Sequence, residues 1–211
     1  MKRLFDFVCA TIGLIVLAPL LAAVAVAIKV ESEGPVFYRG RRAGRYGKPF
    51  RIFKFRTMVI NADKIGGPSS AANDPRITRV GGFLRKYKLD ELPQLLNVVK
   101  GEMSLVGPRP EVLQYVELFS TEERAILSVL PGITDWASIA NSDEGARLAG
   151  SADPEKMYLE EIRPEKIRLQ LEYVRRRSFA TDLGILLQTL KVLVSKERSM
   201  AAMEVRARGG Q

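Results

Sequence analysis

Phe83-Leu-Arg-Lys-Tyr-Lys-Leu-Asp-Glu-Leu-Pro-Gln-Leu-Leu-Asn-Val-Val-Lys-Gly-Glu-Met-Ser-Leu-Val-Gly-Pro-Arg-Pro110 is the stretch around which the rest of the chain is arranged. It sets two adjacent carboxylates, Asp90 and Glu91, after a basic run of Arg85, Lys86 and Lys88. Asp90 and Glu91 ahead of Pro93 read as a helix start, because Asp caps well and Pro is tolerated in a first turn. The same position also suits chemistry, since a carboxylate at a helix N-terminus sits among the backbone N–H groups that hold phosphate. The residue pair alone supports either reading. Leu95, Leu96, Val98 and Val99 then make a helix that packs on the core or lies along a membrane interface. Arg109, between Pro108 and Pro110, is held on a stiff turn. Such restriction favours bidentate phosphate binding, with an ordinary surface turn as the alternative.

Working outward, the 211 residues suffice for one domain and an anchor. Lys and Arg number 33 against 24 Asp and Glu, a net charge of +9. That balance favours anionic partners: nucleic acid, anionic lipid or phosphorylated small molecules. Histidine is absent, which excludes imidazole catalysis, Ser-His-Asp triads and histidine zinc sites. A single cysteine, Cys9, excludes an internal disulfide or a cysteine cluster. A general base must be carboxylate, lysine or tyrosine, and a metal would be a hard, oxygen-ligated ion such as Mg2+.

Val8 to Ile28 carries no charge and is long enough to cross a bilayer core of about 30 Å. Hydropathy alone reads it as a transmembrane helix, and Ala23-Val24-Ala25 resembles a signal cleavage site. Two features oppose both readings. Pro19 falls in the middle of the run and favours a kink. Basic residues flank both ends (Lys2 and Arg3, then Lys29 and the arginines beyond), which would keep both ends in the cytoplasm. A re-entrant helix broken at Pro19 satisfies both.

Val36–Arg39 has strand character and Phe53–Thr57 alternates with period two, so Gly40–Pro49 reads as a hairpin loop, solvated or in contact with phosphate. Ala62–Pro75 reads as a mobile surface loop of the kind that binds ligands. Helices are expected over 77–88, 121–130, from Asp153-Pro154, from Pro164-Glu165 and over 183–193. Trp136, after the turn Pro131–Thr134, is either core or interfacial anchor. No internal repeat appears.

With Phe53-Lys54-Phe55-Arg56-Thr57-Met58, Leu89-Asp90-Glu91-Leu92-Pro93-Gln94, Gly107-Pro108-Arg109-Pro110 and Pro131-Gly132-Ile133-Thr134 in order, the chain resembles the monotopic phosphoglycosyl transferases, or bacterial sugar transferases, from about Lys2 to Leu193. The resemblance implies the minimal catalytic form at the cytoplasmic face of the bacterial inner membrane. It implies transfer of a phosphosugar from a UDP-sugar to a polyprenol phosphate (undecaprenyl phosphate), with UMP released. The implied route is ping-pong through a covalent aspartate intermediate with Mg2+, as the first membrane step of a glycoconjugate or exopolysaccharide pathway. On that resemblance Asp90 is the nucleophile and metal contact, and Glu91 its partner carboxylate, as base or orienting group. Arg85, Arg109 and Lys54 meet the phosphates. Pro19 breaks the anchor, and Lys2 with Asp182 ties it to the globular part. Ala18 stands where relatives often carry Ser, and Asp135 where many carry Gly.

The expected fold is α+β and mainly helical, with a re-entrant membrane helix-break-helix over 1–30. Amphipathic interfacial helices and a small β-hairpin or sheet make a catalytic domain over 31–195, and 196–211 is a disordered tail. The rival is a non-catalytic membrane-tethered protein that binds lipid or nucleic acid; the scattered basic residues and lack of a nucleic-acid motif argue against nucleic acid. A homodimer is compatible with the sequence.

Overall fold

In the computed structural model, which describes residues 1–67 and 70–208, the apolar N-terminal run forms one helix, α1 (Lys2–Glu31). Its contour length is about 45 Å, and it is long and apolar enough to cross a membrane. The helix is continuous through Pro19, where the sequence reading places a break: its backbone stays helical on both sides of the proline. Residues facing the rest of the chain recur at helical spacing: Asp6, Ala10, Leu21, Val24 and Ile28. Both ends are bound to the globular part. Near the start, Lys2 Nζ donates to Asp182 Oδ2 at 2.5 Å and to Val106 O at 3.0 Å. Arg3 Nη2 donates to Val98 O at 2.7 Å, and Asp6 Oδ2 accepts from Ser104 Oγ at 2.7 Å. At the far end Glu31 Oε1 accepts from Val80 N at 2.8 Å, and Arg56 Nη2 donates to Ser32 O at 2.9 Å. Between these ties Ile15, Val16, Ala18, Pro19 and Leu20 are exposed.

The strands are short and paired two by two. β1 (Phe37–Tyr38) runs antiparallel to β4 (Lys54–Phe55), and β2 (Arg41–Ala43) to β3 (Pro49–Arg51). The hairpin expected from the period-two pattern is present, but its loop is shorter than Gly40–Pro49. Arg41–Ala43 and Pro49–Arg51 pair, leaving only the turn around Arg45–Gly47. A third pair, β5 (Ser104–Val106) parallel to β6 (Gly132–Thr134), is not expected from the sequence, which reads 131–134 as a turn and assigns no strand to 104–106. Here Gly107 and Gly132 pass so closely that a Cβ on Gly132 would lie 2.0 Å from Gly107 N. This approach, which only glycine permits, fixes the Gly-Pro-Arg-Pro turn against β6.

Helices make up the remainder. α2 (Ala62–Ile65) lies in the segment read as a mobile loop, whose described parts are tied down: Arg76 Nη2 pairs with Asp74 Oδ2 at 2.6 Å, and Ala72 N donates to Gly145 O at 2.8 Å. α3 (Arg79–Lys86) leads through a 3-10 turn (Leu89–Gln94) into α4 (Leu95–Lys100). α5 (Leu113–Glu117) and a 3-10 turn (Glu123–Ser128) precede β6. α6 (Trp136–Ala140), α7 (Glu144–Ala149) and α8 (Pro154–Met157) follow, then a π turn (Tyr158–Ile162) running into α9 (Arg163–Arg176). Asp135 caps α6, its Oδ1 accepting from Ser138 N at 2.7 Å. Trp136 meets Tyr173 edge to face at 6.2 Å and, partly buried, packs against the cluster of Val106, Tyr173 and Ile185, which favours the core reading over the interfacial one. The last helix, α10 (Phe179–Arg208), continues past Ser195, where the sequence reading ended the folded part; 209–211 lie outside the described residues.

Two apolar clusters seat α1 beneath the central stretch. Ala10 packs with Ile52, Val98 and Met103; Val24 and Ile28 pack with Phe55 and Leu84, against which Leu21 and Leu89 rest. The anchor helix therefore supports both the strand that carries Lys54 and the turn that carries Asp90.

Candidate active site

Three segments meet here. The first is β4, which brings Lys54. The second is α3 with the 3-10 turn after it, which brings Arg85, Asp90 and Glu91. A Cβ on Gly81 would fall 2.1 Å from Thr57 O, so a glycine there lets α3 lie directly on the segment after β4. That contact sets Arg85, whose Nε donates to Thr57 Oγ1 at 3.2 Å and whose Nη2 donates to Ser70 Oγ at 3.0 Å. The chain leaves α3 through Lys88 at φ 57°, ψ 20°, a left-handed conformation uncommon outside glycine. The third segment is the Gly107–Pro110 turn, which brings Arg109.

The sequence-level choice between cap and chemistry for Asp90 resolves against a cap. Lys88, not Asp90, is the N-cap of the 3-10 turn, and no side chain caps it. Asp90 is instead buried within the turn, 8 % exposed. Burial pushes its carboxyl above the usual carboxylate range; Lys54 opposes this in part and Glu91 adds to it.

Glu91 has the opposite balance. Its Oε1 accepts from Lys54 Nζ at 2.8 Å, and Arg109 donates to both carboxylate oxygens, Nη1 to Oε2 at 3.1 Å. Burial alone would raise Glu91, but Arg109 and then Lys54 outweigh it and hold the group well below the usual range. Lys54 is lowered by burial, which Glu91 offsets in part. The two neighbouring carboxylates are thus driven apart by their surroundings, a pattern typical of functional sites. It also bears on Arg109: the sequence reading aims its fork at phosphate, whereas here the fork is closed on Glu91.

Lys54, Arg85 and Arg109 line a cleft of about 190 Å3 with Arg42, and buried Lys166 stands on its wall. Lys166 Nζ lies 3.3 Å from Glu144 Oε2 and 3.6 Å from Glu111 Oε1, and donates to Tyr158 Oη at 3.1 Å. Burial opposes the Lys166 charge, but Glu111 and Glu144 raise its pKa overall. A cleft with this lining suits a multiply charged anion. Of the anchor residues, Lys2 and Asp182 pair directly, and Tyr173 Oη donates to Asp182 Oδ1 at 2.8 Å.

A Mg2+ ion here would take most of its oxygen ligands from a ligand's phosphates. Among the described residues no three acidic, histidine or cysteine side chains gather as a metal cluster. Of the two adjacent carboxylates Glu91 is occupied by two cations, so Asp90 would be the one to contact such an ion.

Sequence reasoning missed Asp6, Arg42, Lys166 and Tyr158. Asp6 left a trace as the only acid before Glu31. Arg42 lies in the basic Gly40–Pro49 segment, read as solvated or in contact with phosphate but not singled out; Lys166 and Tyr158 came from segments distant in sequence, with no local signal.

The sequence model of the bacterial sugar transferases matches residues 1–196. The chain is 40% identical over 195 residues to the UDP-glucose:undecaprenyl-phosphate glucose-1-phosphate transferase of Escherichia coli (strain K12), an alignment covering 90% of this chain and 39% of that protein. It is 36% identical over 197 residues to the UDP-N-acetylgalactosamine-undecaprenyl-phosphate N-acetylgalactosaminephosphotransferase of Aeromonas hydrophila, covering 92% and 44%. It is 38% identical over 197 residues to the uncharacterized sugar transferase EpsL of Bacillus subtilis (strain 168), covering 93% and 89%. The chain therefore spans less than half the length of the first two proteins and most of the third. With a match along nearly its whole length, the chain belongs to the bacterial sugar transferase family.

Proposed function

We propose that this protein transfers a phosphosugar from a UDP-sugar to undecaprenyl phosphate, releasing UMP, with Asp90 as nucleophile. The observation that carries the reading is Asp90 buried beside Lys54 and Arg85, two cations that line the anion-suited cleft. In the first step an Asp90 oxygen attacks the phosphorus bonded to the sugar. The bond from that phosphorus to the UMP oxygen breaks, and its electron pair leaves with UMP. An oxygen of the polyprenol phosphate then attacks the same phosphorus and releases Asp90 as carboxylate. Splitting one transfer into two is the advantage of covalent catalysis. Arg85 and Lys54 stabilise charge on the phosphoryl oxygens. Mg2+, when bound, supplies further neutralisation of the diphosphate.

Glu91 serves as an orienting group. A carboxylate held well below its usual range by two cations is a poor proton acceptor, but it keeps Lys54 and Arg109 in place. Asp90 must be ionised to attack, and its pKa is raised. Acceptor-free UMP release should therefore fall as pH drops through that raised value, above the range of an ordinary aspartate. A single-turnover pH profile measures this limb.

The membrane posture proposed is re-entrant, although α1 itself is unbroken at Pro19. Two ends bound to one globular part, with the exposed Pro19 region between them, support a helix that bends into one leaflet and returns. Leu4, Val8, Ile12 and Ile15 on α1 form an exposed apolar stripe, as do Phe179, Leu183, Leu187 and Leu190 on α10. The two helices meet where Phe5 and Phe179 pack edge to face at 5.3 Å. Lipid is the fitting cover for such stripes. In a Cys9→Ser background, a cysteine appended before Met1 and one replacing Arg41 should both react with an impermeant reagent added from the cytoplasmic side of inverted vesicles. Labelling from opposite sides would contradict this posture.

The activity itself is tested by incubating the detergent-solubilised protein with Mg2+ and a panel of UDP-sugars, then assaying UMP. Mg2+-dependent release with at least one sugar supports the reading. No release across the panel, with lipid binding indifferent to Asp90 substitution, favours the non-catalytic rival.

A further inference from the structure

Gln94 ends the 3-10 turn that begins at Leu89, four residues after Asp90, and is 1% exposed. It lines the same cleft as Lys54, Arg85 and Arg109. Neither end of its amide, Nε2 or Oε1, has a hydrogen-bond partner among the described residues. Buried amides are normally satisfied, and an apolar side chain of the same size would avoid the loss. Asn97, three residues on, is the contrast. Its Oδ1 accepts from Phe53 N at 2.8 Å, and its Nδ2 donates to Arg51 O at 3.0 Å and Glu102 Oε2 at 2.7 Å. Asn97 is completed by the fold; Gln94 is left to be completed by what enters the cleft.

The chemistry of the amide narrows the partner. Nε2 needs an acceptor, and the cleft is built to receive phosphoryl oxygens. Oε1 needs a donor next to that acceptor. In a sugar 1-phosphate the nearest donor to the phosphoryl group is the substituent on C2, either a hydroxyl or the N–H of an acylamino group. One carboxamide can take both at once; a carboxylate or a lysine cannot.

We propose that Gln94 is a catalytic residue that grips the transferring phosphosugar, Nε2 donating to a phosphoryl oxygen and Oε1 accepting from the C2 substituent. The inference rests on the phosphosugar-transfer reading and assigns a contact within it. Nε2 stays on the phosphoryl oxygen while the bond to UMP breaks and the bond to Asp90 forms. Sugars with a hydrogen-bond donor on C2 are thereby favoured over those without one.

The test compares wild type, Gln94→Met, Gln94→Glu and Asp90→Asn for acceptor-free UMP release and for thermal midpoint. The substrate is whichever of UDP-glucose and UDP-N-acetylgalactosamine the wild type uses, set against its 2-deoxy-2-fluoro analogue. Gln94→Met should lower release roughly 100-fold, as loss of a transition-state donor does, with a midpoint equal to or above wild type. Gln94→Glu, which loses the donor, should be impaired as well. Wild type should prefer the natural sugar to the fluoro analogue, and Gln94→Met should lose that preference. Release by Gln94→Met within about threefold of wild type, a scatter small beside the loss of one such donor, would overturn the proposal. So would a parallel fall of midpoint and release, which marks an amide needed only for folding. Wild-type release that Asp90→Asn leaves intact would instead sink the transfer reading itself.

Discussion

Asp90→Asn is expected to reduce UMP release by at least about 1000-fold, the scale on which a covalent nucleophile is missed. The change keeps the shape of the side chain and removes the charge whose burial is unfavourable, so the fold should survive it. Asp90 as a carboxylate is opposed by its surroundings, since burial raises its pKa. Linkage sets the sign. A carboxyl with a raised folded pKa reduces stability above that pKa, and the neutral asparagine escapes the penalty. A thermal midpoint equal to or above wild type, with release abolished, is the combined result expected. The loss should appear without lipid acceptor, because the missing step precedes acceptor attack.

Glu91→Gln is expected to act through both stability and rate. It leaves Lys54 and Arg109 without their shared counter-charge, although the glutamine oxygen can still accept one hydrogen bond. Glu91 and Lys54 side chains are only 15% and 17% exposed, so the pair is shielded from solvent more than a surface salt bridge. Breaking such a pair by removing one partner costs about 3–5 kcal/mol. Chemical denaturation at pH 7 should show a loss of that order. Because Glu91 has a depressed folded pKa, its stabilisation is present above the unfolded carboxyl value and is lost as pH falls through the folded value. The wild-type advantage over Glu91→Gln should therefore shrink on acidification. Release of UMP should fall too, because the released Arg109 and Lys54 would no longer be held at the cleft wall.

Much of the frame was legible in the order of residues. The charge-free run marked α1, a helix long and apolar enough to cross a membrane, whereas the break expected at Pro19 is not seen in it. Period-two alternation over Phe53–Thr57 marked the hairpin, and Pro next to acid marked the starts of α8 and α9. Elements stabilised by partners distant in sequence were not legible. β5 and β6 are three residues each, and their pairing depends on the close approach of Gly107 and Gly132 from segments about 25 residues apart. Asp90 and Glu91 stood out as a pair, but their separate roles did not. What distinguishes them is Lys54, 37 positions earlier, and Arg109, 18 positions later, both turned onto Glu91. Gln94 was visible only as a letter of its motif, because an unsatisfied amide is a property of the folded surroundings.

The transfer scheme requires one acidic oxygen to carry phosphorus between two substrates. Intact mass of the protein, taken after brief exposure to UDP-sugar and Mg2+ without acceptor and followed by peptide mapping, reads this directly. A mass increase of one sugar phosphate, confined to the peptide containing Asp90 and removed by adding polyprenol phosphate, is the result expected. UMP formation that proceeds with no adduct at any time point, or an adduct mapped to another residue, would contradict it.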